Sequence, residues 1–440
     1  CWDMKIGIIG LGFVGLSFAS VLASKGYSII GVDTDKEKLE KIKNGIVPFY
    51  EPKLQSLLRR SLNVGLEVSS NILAIKKCNL IFVTVGTPQK RNGEIDLTMI
   101  KNVTNKIGKL LSKTKHKPII IIKSTVIPGT TQNVILPILQ RISGKNVGKD
   151  FGLLTNPEFL RETMAVNDTL HPHVIVLGGD NDMFLKKVRR FYSNLHHSVP
   201  IVLTNYSTAE IIKYANNSFL ATKISFINQI ASICEEIPDA NIDDVAKTIG
   251  LDPRIGNLFL DAGPGYGGSC LPKDVKAIIN FSTKAGINPT LLTAVEKTNK
   301  QQINSIIKLI KQNIGKIHGR KIAVLGIAFK PETDDIRDSV SVELVNRLIK
   351  LGAKITIHDP KAIENAKKIF NNKIKYQKSV STAVKDCKCA IIMTAWKQYE
   401  KINNKTIEQM AKKFIIDSRR IISDKKLNAR YFAIGLGQKL

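Results

Sequence analysis

A cysteine close to a predicted helix start is the residue of this chain best suited to covalent chemistry. Cys270 follows two glycines, which let a ligand approach the backbone, and it precedes Pro272, a residue favoured at the first position of a helix. The positive end of the helix dipole and the neighbouring Lys273 both favour the thiolate, which is the nucleophilic form of cysteine. The sequence therefore predicts a reactive thiol at position 270.

A carboxylate four residues beyond this cysteine adds acid/base chemistry to the same stretch. Asp274 shares a face with Cys270 if the helix has already begun there. The cysteine alone nevertheless favours a simpler interpretation, a glycine turn followed by a helix with a buried and inert thiol, because free cysteine usually behaves as a small hydrophobic residue. The motifs elsewhere in the chain are needed to tell whether Cys270 is reactive or inert.

The N-terminal region carries the pattern of a dinucleotide-binding unit. A short apolar strand over residues 5–9 runs into G-x-G-x-x-G at residues 10–15, and a helix is predicted to continue to about residue 25. A second strand over residues 27–32 ends at Asp33, near the expected distance for a carboxylate that holds the ribose hydroxyls of NAD. The pyrophosphate would rest on the helix N-terminus. Asp33 would repel the 2′-phosphate of NADP and so favours NAD, whereas the nearby Lys36 and Lys38 would attract that phosphate.

Two further strands end in threonines that would face the same crevice. The apolar runs at residues 80–85 and 118–123 are short and continuous, as buried parallel strands should be, and they precede Thr87 and Thr125. Residues just beyond the C-terminal ends of such strands face a ligand, whereas threonine also often caps the following helix. Both interpretations stay open for these two residues.

Residues 156–162, which read Asn-Pro-Glu-Phe-Leu-Arg-Glu, predict a helix start. Asn156 would be the N-cap, and Glu158 and Glu162 would share one face, in a site or exposed to solvent. A capping box at residues 207–210 predicts a long helix to about residue 236. Lys213 and Asn217 lie one turn apart on it, and they point into a site or belong to an exposed stripe.

A second α/β pattern follows a helix predicted at residues 289–312. Strands are expected at residues 321–325, 354–358, 389–394 and 414–416. Gly326 follows the first of them without the rest of the dinucleotide pattern. This half is therefore expected to hold another phosphate ligand, or to act as a lid, rather than to bind a second NAD.

Composition narrows the class of protein. A length of 440 residues suggests two or three domains, and the 43% hydrophobic and 23% charged residues are globular values. A net charge of +29 attracts polyanions, but the lysines are spread along the chain, which favours small phosphate-bearing ligands over nucleic acid. No apolar run approaches a membrane span and no cysteine or histidine spacing indicates a metal, so we expect a cytoplasmic protein without a metal site.

These motifs together resemble the nucleotide-sugar dehydrogenases, the family of UDP-glucose and GDP-mannose dehydrogenases. The resemblance covers about residues 4–435 and is carried by Gly10-x-Gly12-x-x-Gly15, Asn156-Pro-Glu-Phe-Leu-Arg-Glu162, Lys213 with Asn217, Gly267-Gly-Ser-Cys-Leu-Pro-Lys-Asp274 and Ala328-Phe-Lys-x-x-Thr-Asp-Asp-x-Arg337. It implies an α/β fold with two Rossmann-like, doubly wound domains joined by a central helical region. The NAD-binding domain would span residues 4–200, the dimerisation and catalytic region 201–305, and the UDP-sugar-binding domain 306–440.

The resemblance further implies a four-electron oxidation of a sugar's C6 hydroxyl to a carboxylate, with a thiohemiacetal and then a thioester on the cysteine. UDP-glucose, giving UDP-glucuronate, is the implied substrate, with GDP-mannose and UDP-N-acetylhexosamines as alternatives. The implied catalytic residues are Cys270, Lys213, Asp274, Asn217, Glu158 and Thr125. Outside the family, a one-step hydroxyacid dehydrogenase would not need the cysteine, and a basic NAD-binding or nucleic-acid-binding protein would use the positive charge.

The remaining expected contacts also come from the resemblance. For NAD they are Gly10, Gly12, Phe13, Val14, Gly15, Asp33, Lys38, Thr87, Thr125, Glu162, Lys273 and Arg337. For the UDP-sugar they are Glu158, Phe159, Leu160, Arg161, Lys213, Asn217, Arg254, Phe259, Gly267, Lys330 and Arg419. Arg254 would reach a sugar in the neighbouring subunit, so a homodimer or higher homo-oligomer is expected. His173-Val174 is a departure, because many relatives carry Asp-Arg there.

Overall fold

Short runs of isoleucine, valine and leucine become the strands of two separate sheets. The computed structural model describes residues 4–90, 92–422 and 427–437, and the chain divides into a first unit, residues 1–216, and a second unit, residues 217–440. Each unit contains a mainly parallel sheet with helices between its strands, which confirms the predicted α/β class. Within the described part of the chain, no helix combines the length and the apolar character that a membrane span requires.

The first unit is built on one sheet. Its strands are β1 (Lys5–Ile9), β2 (Ser28–Val32), β3 (Leu66–Ser69), β4 (Leu80–Val83), β5 (Ile119–Ile122), β6 (Gly152–Thr155), β7 (Ile175–Gly178) and β8 (Ile201–Thr204). They lie in the order β3-β2-β1-β4-β5-β6-β7-β8, with β6 and β7 antiparallel and the other neighbours parallel. The order reverses direction at β1 and β4, and ligands of open α/β sheets bind at such a point.

Strand β5 shows why these strands read as unbroken apolar runs. Ile119 and Ile121 belong to the hydrophobic core on one face of the sheet, whereas Ile120 and Ile122 belong to the core on the other face. Successive side chains of a strand point to opposite faces, so a strand covered by helices on both sides needs apolar residues at every position. The prediction of buried parallel strands is confirmed here.

The helices of the first unit follow the strands in alternation. They are α1 (Phe13–Ser24), α2 (Lys36–Lys43), α3 (Leu54–Val64), α4 (Thr98–Ser112), α5 (Leu136–Ser143), α6 (Ala165–Leu170), α7 (Asp182–Leu195) and α8 (Tyr206–Glu235), the last of which continues into the second unit. A 3₁₀ turn at Ile72–Lys77 and a π turn at Thr131–Ile135 complete the set.

The long helix α8 starts differently from the predicted capping box. Asn205 is its cap, because the Asn205 Oδ1 atom accepts the N–H of Thr208 at 2.8 Å. The Glu210 carboxylate does not turn back to the helix start. It accepts the N–H groups of Gly129 at 2.6 Å and Thr131 at 2.9 Å, and so holds the loop after β5 against α8.

The second unit contains a smaller, fully parallel sheet. Its strands are β9 (Lys321–Leu325), β10 (Lys354–His358), β11 (Lys375–Tyr376), β12 (Cys389–Ile392), β13 (Phe414–Asp417) and β14 (Arg430–Ala433). They lie in the order β11-β10-β9-β12-β13-β14. Strand β12 ends before the predicted residue 394, because the Thr394 hydroxyl donates to the carbonyl oxygen of Ala328 at 2.6 Å.

Helices precede and surround this sheet. They are α9 (Ile242–Gly250), α10 (Leu271–Lys284), α11 (Thr290–Ile314), α12 (Val340–Lys350), α13 (Ile363–Phe370), α14 (Val380–Val384) and α15 (Asn404–Ile407). The apolar face of α11, which includes Ile303, Ile306 and Ile310, joins the same core as β9 and β12. The prediction of a helix leading into a second α/β region is therefore confirmed.

The first turn of the N-terminal unit depends on the absence of side chains at two glycines. Gly10 has φ +97°, a backbone conformation that is strained for any other residue. A Cβ on Gly15 would lie 1.9 Å from the carbonyl oxygen of Gly10, so helix α1 approaches the turn more closely than alanine permits. The G-x-G-x-x-G pattern therefore has a steric basis in this chain.

Replacing Gly15 by alanine should destabilise the protein, although alanine is the better helix former. We expect Gly15→Ala to lower the free energy of unfolding by roughly 1–3 kcal/mol, the usual cost of overpacking, as measured by chemical denaturation. Gly12→Ala is the matched control, because a Cβ on Gly12 has no other heavy atom within 4 Å. Equal denaturation midpoints for Gly15→Ala and wild type would contradict the steric argument.

Candidate active site

The turn between β1 and α1 is tied to an acidic residue at the end of β2. The Asp33 Oδ2 atom accepts the N–H of Leu11 and the ammonium of Lys38, both at 2.8 Å, and its Oδ1 atom accepts the N–H of Asp35. Burial raises the pKa of Asp33, but these hydrogen bonds outweigh burial and leave the pKa below its ordinary value. Asp33 is therefore an ionised carboxylate beside the glycine turn, where the sequence predicted it.

The first turn of α1 faces the same crevice. Gly12 is the N-cap of the helix, and Phe13 and Val14 are its first two residues. The first N–H groups of a helix have no acceptor within the helix and they point outward along its axis, so they are suited to a phosphate. The glycine turn and the carboxylate together fit a dinucleotide such as NAD.

The loops after β4 and β5 are joined by one of the predicted threonines. The Thr87 hydroxyl donates to the carbonyl oxygen of Thr125 at 2.7 Å. The next helix after Thr87 begins at Thr98, and the next helical turn after Thr125 begins at Thr131. Neither threonine caps a helix, so the structure decides against that alternative. Both lie just beyond the C-terminal ends of parallel strands, where a ligand binds.

The segment from residue 156 to residue 162 is not a helix, and that prediction was wrong. Residues 156–161 have no regular secondary structure, residue 162 lies in a turn, and the helix begins only at Ala165. Asn156 does not act as an N-cap because its side chain is used elsewhere, with Nδ2 donating to the carbonyl oxygen of Val176 at 2.8 Å. Glu158 and Glu162 therefore do not share a helix face.

Glu158 lies instead against a lysine of helix α8. The Lys213 Nζ atom is 3.5 Å from Glu158 Oε1, and the two side chains are 5% and 10% exposed. The Lys213 ammonium is also 5.3 Å from the centroid of the Phe159 ring. The ring of His173, the residue that departs from many relatives, packs edge-on against Phe159 at 5.4 Å. Lys213 is therefore buried and partnered, so it does not belong to an exposed stripe.

Sequence reasoning missed Lys123, the residue that follows β5. Lys123 is 7% exposed, and its Nζ atom donates to Asn156 Oδ1 at 3.1 Å. Burial lowers the pKa of Lys123 to about 8; Lys213 lowers it further and Glu158 opposes the shift. A lysine at the end of a continuous apolar strand was the signal in the sequence, because a buried ammonium is rarely placed there without a partner.

In the second unit, the predicted cysteine lies at a helix start. Cys270 is the N-cap of α10, and Pro272 occupies the first turn. Of the cysteines that the structure describes, Cys270 alone is exposed, whereas burial raises the pKa of Cys78 and Cys387 to about 11. The helix terminus favours a thiolate at this position. The alternative of a buried Cys270 is therefore wrong, and its reactivity stays a prediction.

Asp274 lies one turn further along α10 and is almost completely buried. It is 1% exposed, and its two oxygens accept the ammonium of Lys273 and the Nδ2 group of Asn217, each at 2.6 Å. Lys273 therefore pairs with Asp274. Asn217 is the first residue of the second unit, while Lys213, four residues earlier on the same helix α8, belongs to the first unit.

The glycine turn before the cysteine packs closely on another loop of the second unit. The N–H of Gly268, at φ +87°, donates to the carbonyl oxygen of Arg337 at 3.2 Å. A Cβ on Gly267 would lie 2.5 Å from the carbonyl oxygen of Asp338. The side chain of Arg337 is exposed and pairs with Asp335. Residues 267–268 and residue 337 are thus brought together, as the motifs suggested.

The other predicted contacts occupy varied environments. Arg419 is half-buried, and burial lowers its pKa to about 10, although Asp261 and Asp417 oppose the shift. Its Nε donates to the carbonyl oxygen of Met393 at 2.8 Å. Phe259 has φ +65°, a strained conformation for an aromatic residue, and strain of this kind is concentrated at functional sites.

Three charged side chains of the predicted set lie at or near the surface. Arg254 is 87% exposed and pairs with Asp252. Arg161 is 59% exposed and pairs with Asp168. The Lys330 ammonium lies 5.7 Å from the centroid of the Phe329 ring. Among these residues, Arg254 is the most accessible to a second chain.

The sheet of the second unit has an acidic residue at the same point as Asp33, but it is used differently. Asp359 follows β10, and its carboxylate accepts donors from Ile327, Ala328, Lys361, Ala362 and Trp396. These five donors occupy an acceptor that can receive about four well-directed hydrogen bonds. Asp359 therefore stabilises the local fold. Because its oxygens are already occupied, it is poorly suited to hold the ribose of a second NAD, which that half was not expected to bind.

Three sequence models of one family match successive parts of the chain. They are the NAD binding domain of the UDP-glucose/GDP-mannose dehydrogenase family at residues 4–196, its central domain at residues 207–301 and its UDP binding domain at residues 323–424. The matched ranges follow one another in the order of the family. Together they account for most of the chain.

Individual relatives agree with this assignment. A UDP-glucose 6-dehydrogenase of Rickettsia felis is 39% identical, over 98% of this chain and 96% of that protein. The structure of a UDP-glucose dehydrogenase from Pyrobaculum islandicum has a TM-score of 0.91 at 31% identity, covering 98% of both chains. A UDP-D-ManNAc dehydrogenase from Pyrococcus horikoshii has a TM-score of 0.87 at 25% identity, over 98% of this chain and 99% of that chain. The chain therefore belongs to the UDP-glucose/GDP-mannose dehydrogenase family.

Proposed function

We propose that this protein oxidises the C6 hydroxyl of UDP-glucose to a carboxylate, giving UDP-glucuronate, with Cys270 as the covalent holder of the half-oxidised sugar. The observation that supports this most directly is the exposed Cys270 at the start of α10, one turn before the buried and doubly paired Asp274. The relatives named above include UDP-glucose 6-dehydrogenases, which favours UDP-glucose over other nucleotide sugars.

NAD, when bound, accepts a hydride in each of the two oxidations. Asp33 would hold its ribose hydroxyls, and the first turn of α1 its pyrophosphate. Thr87 and Thr125 lie beyond β4 and β5, at the edge where the nicotinamide end of the cofactor is expected. Glu162, Lys273 and Arg337 are the further proposed NAD contacts.

In the first oxidation, Asp274 takes the proton of the C6 hydroxyl, directly or through a water molecule. The carbon loses a hydride and becomes an aldehyde, and the Lys213 ammonium and the Asn217 amide stabilise the developing negative charge on the oxygen. Burial of Asp274 and its pairing with Lys273 and Asn217 hold the carboxylate in one orientation.

The Cys270 thiolate then adds to the aldehyde carbon, and the oxygen takes up a proton to give a thiohemiacetal. Loss of a second hydride and of the hydroxyl proton leaves a thioester. Water hydrolyses the thioester, which releases the sugar carboxylate and regenerates the thiol, with Glu158 and Thr125 positioning the water. The covalent bond keeps the aldehyde from leaving between the two oxidations.

The second unit is proposed to hold the nucleotide part of the substrate, since its sheet region matches the UDP binding domain of the family. Lys330, Arg419 and the strained Phe259 are the proposed contacts there. Residues 158–161, which have no regular secondary structure, and Gly267 are proposed to face the sugar. Arg254, with its exposed side chain, is proposed to reach the substrate of a neighbouring subunit.

The covalent step predicts a stoichiometry of about two NADH for each UDP-glucose. We expect Cys270→Ser to stall after the first oxidation, at no more than about one NADH per sugar, as measured by absorbance and by mass spectrometry of the sugar. Cys234→Ala is the matched control, a buried cysteine that should keep the wild-type stoichiometry. One NADH per sugar with free aldehyde from wild type would refute the covalent mechanism.

The choice of sugar is tested by a panel of substrates. We expect UDP-glucose to give a higher kcat/KM than GDP-mannose, UDP-N-acetylglucosamine or UDP-N-acetylmannosamine. A preference for GDP-mannose would leave the proposed mechanism unchanged but would show that UDP-glucose is not the preferred substrate. Absence of turnover with every nucleotide sugar would overturn the proposed function.

Asp33 is expected to set the preference for NAD. Its pKa is below the ordinary value of 3.8, so the carboxylate is charged at neutral pH and repels a 2′-phosphate. We predict that Asp33→Ser raises the KM for NAD by about 10–100-fold, the effect of losing a charge-assisted hydrogen bond. The preference for NAD over NADP should become smaller as a result. The control is Lys36→Met, which removes a nearby positive charge at the start of helix α2 and leaves the Asp33 carboxylate in place. An unchanged NAD/NADP ratio in Asp33→Ser would contradict this role.

Helix α8 is proposed to form a homodimer interface. Phe219, Phe226 and Ile233 recur every seven residues on one face, and they are 65%, 50% and 52% exposed. Large apolar residues in such a row mark a surface that another chain covers. The Phe219→Glu/Phe226→Glu double variant is therefore expected to sediment as a monomer. Lys186→Glu on helix α7 is the control and should remain dimeric; a dimeric double variant would rule out this interface.

A further inference from the structure

The loop that follows strand β5 is bound by a buried carboxylate of helix α8. Glu210 is 3% exposed, its Oε2 atom accepts the N–H of Gly129 at 2.6 Å, and its Oε1 atom accepts the N–H of Thr131 at 2.9 Å. Burying a carboxylate costs free energy unless its oxygens are hydrogen-bonded, and here each oxygen has a backbone donor from the same loop. Glu210 has no part in the mechanism above, although it binds the loop that carries Thr125.

A hydrogen-bonded turn connects the bound part of this loop to Thr125. The carbonyl oxygen of Ile127 accepts the N–H of Thr130 at 3.0 Å and the hydroxyl of the same threonine at 2.6 Å, which closes a turn around Gly129. Val126 lies between this turn and Thr125; it is 2% exposed and belongs to the hydrophobic core on one face of the sheet. The position of the turn therefore constrains the position of Thr125.

The start of the loop is bound to a different part of the first unit. The Thr87 hydroxyl donates to the carbonyl oxygen of Thr125, and the Ser124 hydroxyl donates to the carbonyl oxygen of Val85, each at 2.7 Å. These bonds hold residues 124 and 125 against the loop after β4, but they do not connect them to helix α8. The two hydrogen bonds of Glu210 supply that connection.

The same turn of helix α8 carries a second residue of the proposed site. Lys213 follows Glu210 by three residues, so the two side chains are neighbours on the helix surface. The Lys213 Nζ atom lies 3.5 Å from Glu158 Oε1. Thr125 and Glu158, the two residues proposed to position the hydrolytic water, are thus each connected to one turn of α8.

We propose that Glu210 is a positioning residue for hydrolysis of the thioester, which holds Thr125 in place relative to Glu158 by binding the loop after β5 to helix α8. This inference rests on the proposed function, in which Thr125 and Glu158 position the water. In that step the water oxygen bonds to the thioester carbon and the carbon–sulfur bond breaks. One proton of the water ends on the Cys270 sulfur, and the other is released when the sugar acid ionises.

The test compares thioester hydrolysis in wild type and in Glu210→Gln, both as the whole chain. Glutamine keeps the size of the side chain but has a single acceptor oxygen, so one of the two backbone N–H groups loses its partner. We expect kcat with UDP-glucose and NAD to fall by about tenfold, while the first NADH forms at a rate within about threefold of wild type. The fraction of Cys270 that carries the acyl group should rise, as measured by rapid acid quench and mass spectrometry of the intact protein.

A double-variant cycle separates positioning of Thr125 from a general loss of packing. If Glu210 acts through Thr125, Glu210→Gln should lower kcat by less than about threefold in a Thr125→Val background, because the hydroxyl that it positions is already absent. Glu235→Gln is the matched control: Glu235 accepts the N–H of Gly435 at 2.9 Å in the second unit, and this variant should keep the wild-type kcat and thioester level.

A second measurement does not depend on turnover. Amide hydrogen exchange of residues 126–131 should be faster in Glu210→Gln than in wild type, and unchanged in Glu235→Gln, because only the former loses a hydrogen bond to this loop. Glu210→Asp keeps both carboxylate oxygens on a shorter side chain, and we expect it to accumulate the thioester as well. It provides the kinetic test if Glu210→Gln does not fold.

The two proposals fail in different ways. A fall in kcat without accumulation of the thioester, or an equal fall with and without the Thr125 hydroxyl, would overturn the role of Glu210. The proposed function would still stand if wild type produced about two NADH per UDP-glucose. If wild type oxidises no nucleotide sugar, the proposed function falls and the role of Glu210 falls with it, while hydrogen exchange still reports whether Glu210 holds the loop.

Discussion

A charge buried in protein must be paired or hydrogen-bonded, and this requirement shapes both units of the chain. Glu158 lies beside Lys213 in the first unit, and Asp274 is held between Lys273 and Asn217 in the second. In each case one partner is on helix α8, so the helix supplies polar groups to both units. Each pair holds its own side chains in place, since a side chain that turned away would leave a buried charge behind.

The same requirement explains why two similar sheets differ in function. Asp33 and Asp359 each follow the second strand of an α/β pattern, but their donors differ. Asp33 receives two backbone N–H groups and one lysine whose side chain is partly exposed, so a ligand can compete for it. Asp359 receives four backbone N–H groups and an indole, all from its own fold. Rossmann-like topology therefore does not by itself make a dinucleotide site.

Helix α8 and the loop after β5 are far apart in the sequence, but hydrogen bonds between them fix the position of the loop. Glu210 holds the N–H groups of Gly129 and Thr131, and Thr87 holds the carbonyl oxygen of Thr125. Burial raises the pKa of Glu210, while hydrogen bonds from this loop act against the rise. The loop that carries Thr125 is thus fixed at both ends by side chains more than 35 residues away.

Elements with a strong local signal were determined by the sequence itself: the apolar strands β1, β5 and β9, the glycine turn at residues 10–15, and the proline-marked start of α10 at Cys270. Tertiary structure alone decided the rest. Residues 156–162 carry a helix signature, yet Asn156 forms bonds with Lys123 and Val176, and the helix begins only at Ala165. The four-residue strands β3, β6, β7 and β8 gain their hydrogen bonds only from distant partners. The burial of Lys123 likewise depends on residues that fold against it from other parts of the chain.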